Sequence, residues 1–327
     1  MYDLSTLILV ILAGVIFLAG TGFVLVSIIE KERMAARRGS MVTLLGSGVV
    51  LAGLILGGSG RWILIGILSG ILLAGILAFI LPGRKTKVEM GYPIDQVDER
   101  EIIFARARLE PGTKNYQKYY QAHPEHQLTD DRSRSQPGLL HPDAKFTNPL
   151  HSAATAASFT LTEALRIAVD GPQGEKPYSA PPEDLSRTIK KLAKYYGALG
   201  CGITELKPTH IYSHIGRGTG KYGAPIQLDH QYGIAFTVEM DFEMTISAPY
   251  PPITMESGRQ YVEFARVAVQ LAAAIRELGY SARAHIDGNY RIIAPLVARD
   301  AGLGEIGRMG LLMTPRQGPR VRVGVVT

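Results

Sequence analysis

The chain has 327 residues, 46% of them hydrophobic, and a net charge of +6. One cysteine, Cys201, excludes a disulfide framework and any multi-cysteine metal or iron–sulfur site built from this chain alone. The length suggests roughly two domains, and the modest positive charge lies beside apolar spans, which points to membrane topology rather than nucleic acid.

Residues 7–29, 41–60 and 62–81 form three apolar runs in succession. Each is near the roughly 20 residues that a membrane helix needs. The start, MYDLST, carries no basic region and no twin-arginine pair, so a cleaved export signal is not expected. The first connection holds Lys31, Arg33, Arg37 and Arg38, and the exit from the third run holds Arg84, Lys85 and Lys87; the second connection has only Arg61. This asymmetry predicts an external amino terminus and a cytoplasmic remainder. Glycines and other small residues in the second and third runs suit close helix packing. Residues 1–87 therefore read as a membrane anchor.

From residue 88 the composition is that of a soluble protein. Residues 92–149 are polar and contain proline, and 88–170 is expected to be an extended arm wrapping a domain. Helical spacing returns over 155–169 and is clear over 185–199 and 258–278. Strands are expected over 201–206, 232–240, 281–286 and 321–326, with a short helix over 292–301 and a proline loop around Pro249, Pro251 and Pro252. Helices alternating with strands predict an α/β domain over 171–327.

Gly302, Gly304 and Gly307 spell G-x-G-x-x-G. A dinucleotide fingerprint needs a strand before it and a helix after it; here the preceding residues look helical and Thr314-Pro315 blocks a long helix afterwards. Gly216, Gly218 and Gly220 before Lys221 fail as a P-loop, because Tyr222 stands where Ser or Thr is required. His210, His214 and His230 read as loop histidines or cofactor contacts rather than metal ligands, and no metal site is expected. Cys201 reads as a small buried residue at a strand start.

Five segments carry a family resemblance: FARARLEPGTKNYQKYYQAHPEHQLTDDRSRSQPGLL, YGALGCGITEL, DHQYGIAFTVEMDF, ELGYSARAH and AGLGEIGRMGLLMTPRQGPRVRVGVVT. Together they resemble the reductive dehalogenases, corrinoid and iron–sulfur enzymes that remove halogen from organohalides. The resemblance runs from about residue 95 onward, and the last segment is its most specific part. Epoxyqueuosine reductases share a version of that segment without the arm or the membrane helices.

The resemblance implies a nitroreductase-like α/β core holding base-off cobalamin. It implies a tyrosine proton donor before the long helix, at Tyr261; an Asn/Asp-type residue after the next strand, at Asp287 with Asn289 as rival; and an arginine after T-P-x-x-G-P, at Arg320. Gly302, Gly304, Glu305, Gly307, Arg308 and Asn289 are the implied cofactor contacts. Two [4Fe–4S] clusters are expected in the family on a ferredoxin-like segment, so this sequence is expected to be a fragment that stops short of it. The expected partners are an organohalide, membrane lipid and an electron donor such as the quinone pool or a redox protein, with no nucleic acid. Respiratory members are mostly exported; without a twin-arginine signal, the catalytic domain is expected on the cytoplasmic side of the inner membrane. A membrane-tethered corrinoid-binding protein without dehalogenase activity is the alternative suggested by the missing cysteines. An acid at Asp287 instead favours an epoxyqueuosine-reductase-like reductase of a non-halogenated substrate.

Overall fold

The computed structural model describes residues 3–30, 32–80 and 95–327. Lys31 and the basic exit Arg84, Lys85 and Lys87 lie outside the described residues. The chain divides into two compact units, Met1–Glu89 and Met90–Thr327.

The first unit holds α1 (Leu4–Ile29), α2 (Arg33–Ala52) and α3 (Gly58–Ile80). All three are long and apolar enough to cross a membrane. Small residues let α1 and α2 approach: a Cβ on Gly20 would lie 2.1 Å from Thr43 Oγ1, and one on Gly39 would lie 2.8 Å from Phe23. A Cβ on Gly53, just beyond α2, would meet Leu64 of α3 at 2.3 Å. The third run differs from expectation. Gly66, Gly70 and Gly75 have nothing within 4 Å of an added Cβ, so among the described residues they face no partner helix. Arg61 is held inside the unit, donating to Thr6 Oγ1 (2.6 Å) and to the Leu54 carbonyl (3.1 Å).

The second unit begins with the short helices α4 (Ile103–Arg106), α5 (Lys114–Ala122) and α6 (Pro124–Arg134), followed by α7 (Pro149–Ala164) and α8 (Pro182–Tyr195). Caps start them where the sequence allows. Thr113 accepts from the Tyr116 N–H, Asn148 accepts from the Leu150 and His151 N–H groups, and α6, α7 and α8 each open on proline. Tyr116, Tyr119 and Tyr120 form a buried stripe on α5. The hydroxyls of Tyr116 and Tyr120 donate to Asp131 and Asp130 of α6, which closes the α5–α6 hairpin, and that of Tyr119 donates to Glu101 ahead of α4.

The sheet is built from β1 (Gly200–Glu205), β2 (Tyr232–Glu239), β3 (Ala284–His285) and β6 (Val321–Val326) in the order β1-β2-β6-β3. Every pairing is antiparallel. The alternation of helices and strands is present, but no parallel βαβ unit is formed among the described residues. α9 (Phe242–Ile246) and α10 (Pro251–Glu277) separate β2 from β3, α11 (Ala294–Asp300) follows β3, and a small hairpin of β4 (Glu305–Ile306) and β5 (Leu312–Met313) precedes β6.

α10 is the central core helix. Phe264, Val267, Ala268, Leu271 and Ile275 pack with Phe236, Val238, Ala284 and Val326 on one face of the sheet. Full burial of each large side chain contributes roughly 1.5–3 kcal/mol. Of the three prolines expected to form a loop before this helix, Pro249 stays in the turn, but Pro251 and Pro252 form the helix's first turn, where a missing N–H costs nothing. The other face of the sheet packs Ala235, Val321 and Val325 against Val297 and Ala298 of α11. Gly324 is required by close approach, since a Cβ there would sit 2.3 Å from Phe236 Cζ. β3 is shorter than the expected 281–286 strand and pairs only with Val325 and Val326. The first half of β6 therefore keeps one ladder edge free of β3.

Candidate functional site

A cavity of about 690 Å³ lies at that edge. β6 contributes Val321, Arg322 and Val323; the segment after β3 contributes Asp287, Tyr290 and Ile292; α10 contributes Ser257, Tyr261 and Phe264. Ile102, Ile103 and Phe104, from the start of the second unit, add an apolar wall, and Arg217 adds a second cation.

Tyr261 is inside α10 rather than before it, because the helix begins at Pro251, seven residues earlier than Gly258, the glycine that was expected to open it. Its ring packs 5.4 Å from Phe264 and 5.7 Å from Phe159. Burial pushes its phenol above the ordinary range; Arg322 and Arg217 oppose that rise and Asp287 adds to it. The net direction is upward, so Tyr261 holds its proton at neutral pH instead of resting as tyrosinate. Burial also pushes Tyr290 well up, with Tyr261 and Asp287 adding to the effect.

The arginine beside the tyrosine is Arg322. Its guanidinium carbon lies 5.0 Å from the Tyr261 ring centroid, and Nη2 donates to Ser257 Oγ at 2.6 Å. Arg320, expected in that role, does not line the cavity. It pairs with Glu239 at 3.0 Å, donates to the Met240 carbonyl and sits over the Phe242 ring. Strand parity gives residues 320 and 322 the same side, but β6 begins at Val321, and Arg320 in the preceding turn folds back on β2. Nothing in a single sequence separates the two.

Arg217 has a buried anchor. Glu99, fully buried, accepts from the Gly216 N–H (2.8 Å), the Arg217 N–H (3.1 Å) and Arg217 Nε (3.1 Å). The guanidinium lies 5.8 Å from the Phe104 ring centroid. Sequence reading missed this pair, whose partners are 118 residues apart.

Asp287 reaches the cavity and Asn289 does not. Asn289 is fully buried, its Oδ1 accepting from Thr219 Oγ1 (3.0 Å) and Arg283 Nη2 (3.1 Å), while its Nδ2 has no partner among the described residues. The stretch Gly302–Arg308 follows a helix and enters β4, the reverse of a dinucleotide fingerprint. Two of its glycines are explained by hairpin packing: a Cβ on Gly304 would lie 2.3 Å from the Met313 carbonyl oxygen, and one on Gly307 would lie 2.9 Å from Met313 Cγ. Glu305 and Arg308 are exposed, as is Gly302, whose φ is +80°. On the cavity rim, Gly310 leaves open space where a Cβ would stand, next to Leu311, which is 46% exposed.

His210, His214 and His230 do not converge. His210 is buried against Asp300 at 3.0 Å, and His214 Nδ1 is 3.2 Å from Asp98. His285 is buried with Nδ1 accepting from the Arg291 N–H, which leaves Nε2 to donate to Thr327 Oγ1 (2.9 Å); the same hydroxyl lies 2.9 Å from His230 Nδ1. Burial holds His285 well below its ordinary value of 6.5. It is neutral in the folded state, whereas the unfolded chain takes up a proton as pH falls through about 6.5. Its contribution to stability is complete above that pH and is lost below it. The melting temperature is expected to fall between pH 7.5 and 5.5, and His285→Gln is expected to flatten that dependence; an equal slope in the variant would refute the assignment.

Cys201 sits on β1, and burial pushes its thiol up to about 11. It is a packing residue held as the thiol.

No family model matches the chain. A tetrachloroethene reductive dehalogenase of Desulfitobacterium hafniense is 40% identical over 93 residues, which cover 28% of this chain and 16% of that protein. One from Dehalobacter restrictus is 39% identical over 93 residues, with the same coverage. A solved structure described as a reductive dehalogenase suggesting a mechanism for B12-dependent dehalogenation aligns with TM-score 0.53 and 23% identity, over 71% of this chain and 30% of that one. A catabolic reductive dehalogenase in complex with 3-bromo-4-hydroxybenzoic acid aligns with TM-score 0.47 and 27% identity, over 53% of this chain and 25% of that one. The matches thus span about a sixth of the curated relatives' length. The chain is similar to reductive dehalogenases in sequence over part of its length and shares their mixed helix–strand fold.

Proposed function

We propose that the chain is the membrane-anchored, corrinoid-binding part of a reductive dehalogenase. The observation that carries this reading is a protonated tyrosine, Tyr261, packed beneath the guanidinium of Arg322 in an apolar-walled cavity with an open rim. The sequence match to reductive dehalogenases supports it. The core would be nitroreductase-like. The three helices would anchor the chain in the inner membrane with the second unit in the cytoplasm, following the arginines at 33, 37 and 38 at the start of α2. An organohalide would be the substrate, with membrane lipid around the anchor and a quinone or redox protein as electron donor.

The residues present fit a corrinoid at the cavity rim. Gly310 leaves room there and Leu311 offers apolar surface. Gly302, Gly304, Glu305, Gly307 and Arg308 would form the neighbouring edge of the cradle, and Asn289 would support it. Cobalamin, when bound, supplies the reducing cobalt centre. Tyr261 holds a proton at Oη and delivers it to the carbon that loses halide. Arg322 faces that tyrosine and stabilises negative charge as it develops. Ile102, Ile103, Phe104 and Phe264 exclude water, which strengthens both effects. Iron–sulfur clusters do not fit this chain. Each needs four cysteine ligands, and the chain has one, the half-buried thiol of Cys201, so no step is assigned to a cluster here.

Asp287 favours a second reading, reduction of a non-halogenated substrate, because it brings a carboxylate to the cavity wall. The test is to titrate the detergent-solubilised chain with cobalamin, add a chemical reductant and follow halide release. Absence of corrinoid binding would sink the proposal. Binding without halide release would leave a tethered corrinoid-binding protein. Arg322→Met is expected to lower kcat/KM at least tenfold. Arg320→Met should change it less than twofold, because its partner Glu239 lies outside the cavity and a half-exposed pair contributes little. The reverse order would return the role to Arg320.

A further inference from the structure

We propose that Glu101, His123 and His126 form a binding site for a divalent transition metal of the Zn²⁺ type, separate from the cavity. Their ligand atoms all lie within 4.8 Å of one another. His123 Nε2 is already 3.4 Å from Glu101 Oε1. Bonds of about 2.0–2.2 Å in a tetrahedral shell place neighbouring donors about 3.3–3.5 Å apart, so this pair is at coordination spacing. The remaining approach needs only rotation of side chains that are part-exposed.

The surroundings resemble the outer shell of a metal centre. Tyr119 donates to the second oxygen of Glu101 at 2.9 Å, which leaves Oε1 turned toward His123. Glu125 Oε1 lies 3.5 Å from His123 Nδ1, the nitrogen that a metal on Nε2 would leave free to donate. A carboxylate behind a ligating imidazole fixes its tautomer and raises its basicity. Tyr119 also stacks on the His123 ring, with centroids 4.8 Å apart, and the His123 and His126 rings are nearly parallel (21°). Two imidazoles and one carboxylate, with a fourth position open, suit zinc-type ions and not magnesium or calcium, which prefer all-oxygen shells. Lys118 and Arg100 line the adjoining small cavity, but Arg100 is already paired with Asp98.

The placement gives the site a role. Glu101 immediately precedes Ile102, Ile103 and Phe104, which wall the main cavity, while His123 and His126 belong to the α5–α6 hairpin. A bound ion would fasten that hairpin to the wall and stabilise the folded state by mass action. This inference does not rest on the proposed reaction.

The test is calorimetric titration of ZnCl₂ into the full chain in detergent, without a histidine tag and after chelator treatment. One equivalent is expected to bind, with no heat from MgCl₂, and saturating Zn²⁺ should raise the melting temperature. His126→Gln, at a part-exposed position, should weaken binding at least tenfold, and Glu101→Gln likewise. His141→Gln, elsewhere on the surface, should leave it unchanged. No binding, or equal affinity in His126→Gln and the parent, would overturn the proposal; a melting temperature unmoved by Zn²⁺ would overturn the fastening role.

Discussion

Replacing Tyr261 by phenylalanine is expected to lower kcat for halide release by about 10²–10⁴-fold in the cobalamin-loaded chain, with KM changed less than about threefold. The expectation follows from where the hydroxyl sits. Burial raises its pKa, and the opposing cations Arg322 and Arg217 do not reverse the shift, so the proton is present across the neutral range. Removing only the oxygen keeps the contacts with Phe159 and Phe264, so the variant should fold and bind corrinoid as the parent does. Measured by halide release under a chemical reductant, activity should be flat through neutral pH and decline only above about 10, as the phenol ionises. A variant with more than a tenth of the parent's kcat would show that the proton comes from elsewhere; Tyr290, also on the cavity wall, is then the next group to change.

Replacing Glu99 by alanine is expected to cost about 3–5 kcal/mol of stability, because it leaves a buried guanidinium and two backbone N–H groups without their acceptor. Glu99→Gln should cost less, about 1–3 kcal/mol, since an acceptor oxygen remains while the charge is lost. Denaturant unfolding of the two variants against the parent reads both values. A cost below about 1 kcal/mol for Glu99→Ala would mean that water replaces the carboxylate and that the anchor of Arg217 is soft. Because Arg217 lines the cavity beside Phe104, the same variant should disturb the site as well as the fold.

The elements legible in the sequence were those whose signal is local and periodic. α1, α3, the stripe of α10, and the β-branched runs of β2 and β6 lie where hydrophobic spacing put them, whereas α2 starts at Arg33, ahead of the expected run 41–60, and takes in Arg33, Arg37 and Arg38 of the expected connection. The α5–α6 hairpin was less legible, since it is held by tyrosine hydroxyls on carboxylates, and polar composition hides a tyrosine stripe at positions 116, 119 and 120. β3 was overestimated because ladder length depends on the neighbouring strand rather than on the residues of the strand itself.

The candidate site divides in the same way. Tyr261 and Asp287 could be placed from the family resemblance, and both reach the cavity. The choice of Arg322 over Arg320 could not, because it turns on where β6 begins and on Glu239 capturing the earlier arginine. Arg217 with Glu99, and the cluster of Glu101 with His123 and His126, join residues far apart in the chain. Periodicity and composition are properties of neighbouring residues, so the sequence alone determined the three membrane-length helices, the core helix and the alternation of helices with strands. Which charges meet in a low-dielectric cavity depends on the distances between segments, and only the tertiary structure decided that.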